Sequence, residues 1–128
     1  MNITLIYFDF PFWRAEVSRI SLFLSNTEFE DKRITSEEFQ RVKENGVLDD
    51  GTVIHFHQLP CLKVNDISIA QTGAISRFCG KISNLYPKND DLLAGQIDQF
   101  IAQRLHQCRF TPIRGVLCLT DFFNPNRP

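Results

Sequence analysis

The chain has 128 residues, room for one domain or one and a fraction. It is 43% apolar with twelve phenylalanines, and its formal charge is −1, so it can fill a core but carries no global field towards nucleic acid or an anionic membrane. No apolar run reaches the roughly 18 residues of a spanning helix, and the opening MNITLIYFDF has no basic segment and carries Asp9. Neither a membrane span nor a signal peptide is expected, and a cytoplasmic location is.

In chain order, NITLIYF (2–8) is a β-branched and aromatic run and predicts a strand, which DFPFW (9–13) breaks. AEVSRISLFLSN (15–26) brings Val17, Ile20, Ser21, Phe23 and Leu24 near one face of a helix. EFEDKRI (28–34) reads as a strand or extended connection. Thr35 and Glu38 have capping-box spacing, so a helix over 36–45 should follow and stop at Gly46. VLDDGT (47–52) is a turn and VIHFH (53–57) a short extended piece. PCLKV (60–64) and ISIA (67–70) flank Asn65-Asp66, a hairpin turn. QTGAISRFCGKI (71–82) predicts a helix, NLYPKND (84–90) a linker, and DLLAGQIDQFIAQRLHQC (91–108) a longer helix.

Pro60 sits where an ordinary central strand would not tolerate it, because proline gives no N–H to the ladder. The order β-α-β-α-β-β-α supplies a context. A βαβ unit followed by a ββα unit is the thioredoxin-like pattern, an α/β domain with helices on both faces of a mixed sheet. In that fold the bond before the proline opening the third strand is cis, a state of only about 5–6% of such bonds. It is expected to turn the Leu59 backbone outward at a sheet edge, free to pair with a peptide-like ligand. The organisation expected is a thioredoxin-like domain over 1–83, a linker and the first helix of an incomplete all-α domain over 84–108, and an atypical tail over 109–128.

Cys61, Cys79, Cys108 and Cys118 form no C-x-x-C pair and suit neither a zinc site nor a disulfide scaffold. Buried, reduced thiols are expected. His55 and His57 alternate along the extended piece without a third ligand, so no metal site is expected. The tail is different in character: residues 1–100 carry a net −4 and residues 101–128 a net +3. GVLCLTDFF within it is apolar and β-prone.

IYF-x(5)-RAE-x-x-R (6–19), QLPCL (58–62), AQTGAISRF (70–78) and LYP (85–87), in this order and spacing, resemble the N-terminal domain of cytosolic glutathione transferases, nearest to the tyrosine-type, sigma-like branch. The resemblance covers residues 2 to about 100 and implies a cosubstrate, glutathione, with no metal. It places Tyr7 as the catalytic tyrosine and Arg14 close to the glutathione thiol. It puts Phe39 where such members have a tryptophan, Lys43 near the glycine carboxylate, and Leu59, before Pro60, against the cysteinyl backbone. Gln71 and Thr72 match the pair that holds the γ-glutamyl end, and Asp98 an aspartate that in dimers reaches the partner's glutathione. The partners implied are glutathione, a small hydrophobic electrophile and a second copy of the chain, with no nucleic acid or membrane. Trp13 departs from the family's usual glycine, and 46–57 is longer than usual. The second, helical domain is represented only by 91–108, as in a truncated or alternatively terminated member.

The chemistry suits these residue types. A free thiol of pKa about 8.5 is only a few per cent thiolate at neutral pH, and a hydrogen bond from the Tyr7 hydroxyl favours the charged form. The amino end of a helix opened by Gln71 and Thr72 suits a carboxylate. Ordinary structural roles stay open for each residue: Tyr7 in the core, Arg14 paired with Glu16 or Asp9, Phe39 packed on the sheet, Gln71 and Thr72 as a helix cap, Lys43 and Asp98 solvated, Pro60 in trans. A non-catalytic module of the same fold is the alternative function. A dithiol oxidoreductase is disfavoured, because residues 9–14 hold no cysteine.

Overall fold

The computed structural model describes residues 1–9 and 14–107; Trp13 and the tail 109–128 lie outside the described residues. The elements are β1 (Ile3–Phe8), α1 (Glu16–Leu24), β2 (Glu30–Ile34), α2 (Ser36–Asn45), β3 (Cys61–Val64), β4 (Ile67–Ala70), α3 (Thr72–Ile82) and α4 (Asp91–Gln107). The result is a mixed four-stranded α/β sheet of thioredoxin-like form, in the order β2-β1-β3-β4. β1 runs parallel to β2 with Tyr7 opposite Arg33, and antiparallel to β3 with Ile6 opposite Cys61. β3 runs antiparallel to β4, Cys61 opposite Ala70.

β1 is buried along nearly its whole length, as a central strand covered on both faces must be. Successive strand residues point to opposite faces. The guanidinium of Arg19 in α1 lies over the Tyr7 ring, while Phe39 of α2 meets Phe8 edge to face at 4.8 Å. α1 and α2 therefore cover opposite faces. The core joins Ile3, Leu5 and Ile6 of β1 to Leu22, Ile34, Val42, Leu62, Ile75 and Cys79.

Local chemistry sets the boundaries. Thr35 accepts from the Glu38 N–H at 3.2 Å and Glu38 accepts from the Thr35 N–H at 2.7 Å, so the expected capping box starts α2. Gly46 ends it at φ 75°, a left-handed cap. Asn65 takes φ 53° in the β3–β4 turn and donates its N–H to the Asn2 carbonyl at 2.8 Å.

Three expectations need correction. Residues 55–57 are a short 3-10 turn, not an extended piece, with Phe56 at φ 59° and His57 at φ 51°. The turn lets the His57 ring reach back to the Lys43 carbonyl at 2.9 Å, so the two histidines do not alternate along a strand. The apolar stripe of α1 does not face the core. Val17, Ile20, Phe23 and Leu24 are exposed, whereas Ser18, Arg19, Ser21 and Leu22 are buried. Small residues suit that inner face because α3 approaches closely, with the Ser83 hydroxyl donating to the Ser21 carbonyl at 2.8 Å. Lastly, β3 is an interior strand paired on both sides, so Leu59 lies at a strand end rather than along a sheet edge.

Candidate functional site

The register decides where the expected residues meet. The C-terminal ends of β1 and β4 and the N-terminal end of β3 coincide, through Ile6 opposite Cys61 opposite Ala70. Tyr7, the Leu59–Pro60 pair and Gln71 each lie within one or two residues of that line, so one end of the sheet gathers them. β2 ends beside them at Ile34 and hands the chain to α2, which carries Phe39 and Lys43.

Tyr7 is almost wholly enclosed, 2% exposed. Burial pushes its phenol above the ordinary value. The Arg14 charge, the Arg14 backbone N–H and the Arg19 charge pull the other way without cancelling burial. The hydroxyl is therefore protonated at neutral pH and is a donor. Arg14, in the turn before α1, is exposed, and Asp9 is engaged instead by Arg33 at 3.5 Å.

The Leu59–Pro60 peptide is cis, as the fold pattern anticipates. The Leu59 side chain is 7% exposed and packs in the core. Gln71 stands at the start of α3 with φ 73° and ψ 121°, an unusual backbone for a residue with a side chain. Its carbonyl accepts from Ile75 at 3.0 Å, and its side chain is exposed. Thr72 opens the helix, where the first N–H groups have no partner within it.

Phe39 is partly buried against the core, and the Lys43 ammonium lies 5.1 Å from its ring centroid. Lys43 is thus held on the rim by a cation–π contact, at the same end of the sheet. Asp98 stands apart from this group: its carboxylate accepts from Arg77 at 2.9 Å, tying α4 to α3.

Two of the concavities among the described residues, about 380 and 530 Å³, include none of these residues. They are lined at the other end of the sheet by residues such as Thr4, Asp50, Thr52, Lys63 and Asp66. The position of the candidate site therefore rests on the convergence of strand ends and not on cavity size. Among the described residues no group of three His, Cys, Asp or Glu side chains could hold a metal, and no helix is long and apolar enough to cross a membrane.

The residue that sequence reasoning passed over is Arg19. It closes the RAE-x-x-R spacing, which by itself assigns it no role. It is 8% exposed, bonded through Nε to Asp31 and through Nη1 to Glu16, each at 3.0 Å, with its Cζ 6.0 Å from the Tyr7 ring centroid. The signal available was a charged residue on the small-residue face of an amphipathic helix.

A family model described as the N-terminal domain of glutathione S-transferase matches residues 3–80. Glutathione S-transferase P of Caenorhabditis elegans is 32% identical over 90 residues, which cover 70% of this chain and 39% of that protein. The crystal structure of the glutathione S-transferase from Ascaris lumbricoides is similar with a TM-score of 0.69 and 27% identity, over 83% of this chain and 47% of that one. Prostaglandin synthase D of Nilaparvata lugens is similar with a TM-score of 0.67 and 26% identity, over 85% and 49%. The chain spans less than half the length of these relatives.

Proposed function

The chain belongs to the glutathione S-transferase family, and on that premise we propose that it binds glutathione and activates its thiol as a thiolate through Tyr7. The thiolate would serve conjugation to a small hydrophobic electrophile, or an isomerisation. The observation that carries the reading is the enclosed Tyr7 hydroxyl, kept protonated by burial at the sheet end where Leu59 and Gln71 also lie.

The chemistry divides along the tripeptide. The Tyr7 hydroxyl donates to sulfur, so the thiol loses its proton more readily and the sulfur keeps its lone pair for attack. Arg14 adds positive charge on the same side. The Leu59 backbone pairs with the cysteinyl unit. The amino end of α3, with Gln71 and Thr72, takes the γ-glutamyl carboxylate. Lys43, beside Phe39, takes the glycine carboxylate from the rim. The nucleophile belongs to the cosubstrate, and the protein lowers its pKa and aims it. The likeness to a protein named a prostaglandin synthase keeps isomerisation beside conjugation. A sigma-like class, a homodimer with Asp98 reaching the partner's glutathione, and a cytoplasmic location belong to the same proposal.

A second reading, a non-catalytic module, is favoured by the exposed Val17, Ile20, Phe23 and Leu24 of α1, an apolar face better suited to docking than to chemistry.

One experiment separates the two. Glutathione is titrated into the chain by calorimetry, and the bound thiol is titrated with pH by its thiolate absorbance. Binding that Gln71→Ala abolishes, with a lowered thiol pKa that Tyr7→Phe restores, supports the enzyme reading. No heat at millimolar glutathione overturns it in favour of the module.

A further inference from the structure

We propose that Arg19 is a positioning residue for Tyr7: its enclosed guanidinium, clamped between α1 and β2, holds the phenol ring in place and sharpens its hydroxyl as a donor to the glutathione sulfur. The inference rests on the glutathione reading of Tyr7 given above.

Arginine is almost never buried this deeply unless paired. Here Asp31 takes Nε and Glu16 takes Nη1, yet Nη2 is shut off from water and has no hydrogen-bond partner among the described residues. Leaving a donor of a buried cation unsatisfied is a cost that folds normally avoid. A tether between α1 and β2 does not require it. The Nε bond to Asp31 already joins the two elements, and Asp31 is balanced from within β2 by the far more exposed Arg33 at 2.7 Å. What the deeper placement adds is a fixed positive charge 6.0 Å from the Tyr7 ring centroid, in surroundings where water screens it little.

The groups around the phenol agree in sign. Arg14 in the turn before α1 and Arg19 within it both draw the phenol downward against burial. Asp31 and Glu16 neutralise part of the Arg19 charge, and Arg33 in turn neutralises Asp31 and reaches Asp9. The thiols of Cys61 on β3 and Cys79 on α3 are pushed up by burial to about 11, so neither adds charge near neutral pH. Removing Arg19 would leave Asp31 and Glu16 as excess negative charge beside the ring, which opposes both phenolate and a neighbouring thiolate.

The test uses the whole chain carrying Tyr86→Phe, which leaves Tyr7 as the sole tyrosine. Arg19→Gln keeps donors for Asp31 and Glu16 but removes the charge; Arg19→Lys keeps the charge. Ultraviolet titration of the phenol needs no glutathione. The expected result is a Tyr7 ionisation moved to higher pH in Arg19→Gln and largely restored in Arg19→Lys. In parallel, the thiolate fraction of bound glutathione at neutral pH should fall at least about threefold in Arg19→Gln. A folded Arg19→Gln protein with both titrations unchanged overturns the inference while leaving the glutathione site standing. A chain that binds no glutathione overturns the reading beneath it. If Arg19→Gln does not fold, Arg19→Lys against the parent decides: a phenol titration equal to the parent's supports the charge, and one displaced upward overturns it.

Discussion

Arg77 and Asp98 join across the linker between α3 and α4, Nε to Oδ1 at 2.9 Å, with each side chain 36% exposed. The hydrogen bond to Arg77 holds the Asp98 carboxyl below its ordinary value. A carboxyl depressed in the folded state stabilises above its unfolded pKa, near 4, and that contribution is lost as pH falls further. At this exposure the pair contributes only about 0.5 kcal/mol. Asp98→Asn should therefore speed amide exchange along α4 about twofold at neutral pH, with the difference from wild type closing in acid. An unchanged α4 at neutral pH counts against the pair as a tether.

Gly46 is poorly able to accept a side chain. Its φ is 75°, and a Cβ there would stand 2.7 Å from Nε2 of the His57 ring. Gly46→Ala must strain the cap of α2 and displace His57 from the Lys43 carbonyl. The expected loss is about 1–2 kcal/mol in urea unfolding. His57→Ala should cost clearly less, since it removes one exposed hydrogen bond. Equal costs would mean that the backbone strain is negligible.

Thr35→Ala removes the side-chain half of the α2 capping box and should cost about 1 kcal/mol. Thr35→Ser should recover most of it. If Thr35→Ala matches wild type in urea, the cap is not contributing.

Burial holds the thiols of Cys61 and Cys79 at about 11. At pH 8 almost no thiolate is present at either, and both are enclosed. An alkylating reagent followed by peptide mapping should leave both unmodified in the native chain and modify both in denaturant. Rapid native labelling of Cys61 would contradict the packing at the start of β3.

Lys43→Met should weaken glutathione binding a few-fold at low ionic strength, if the lysine meets the glycine carboxylate. The loss should shrink as salt rises, because the site lies on an exposed rim. A salt-independent loss would point instead to the packing of Lys43 on Phe39.

Much of the fold was legible because its signals are local. Thr35 with Glu38, Gly46, Asn65-Asp66 and the β-branched run over 2–8 each act through neighbours in sequence, and each stands in the structure where its chemistry requires. Pro60 was legible for a different reason: a residue that contradicts its strand context calls for a special backbone, and Leu59–Pro60 is cis. The 3-10 turn at 55–57 was not legible. His and Phe in alternation fit an extended piece equally well, whereas the turn is closed by the His57 N–H to the Ile54 carbonyl and by the His57 ring reaching Lys43 on α2, a contact distant in sequence.

By itself the sequence determined the strands and helices of the domain, because propensity, capping and turn chemistry operate within a few residues. Tertiary structure alone decided which face of α1 is inside, that β3 is interior, and that Arg19 lies enclosed against Tyr7. Periodicity locates an apolar stripe but not the surface that covers it. α3 packs so closely on α1 that the face carrying Ser18 and Ser21 turns inward, and the one charged residue buried on that side, Arg19, is left beside the tyrosine with Asp31 and Glu16 to balance its charge.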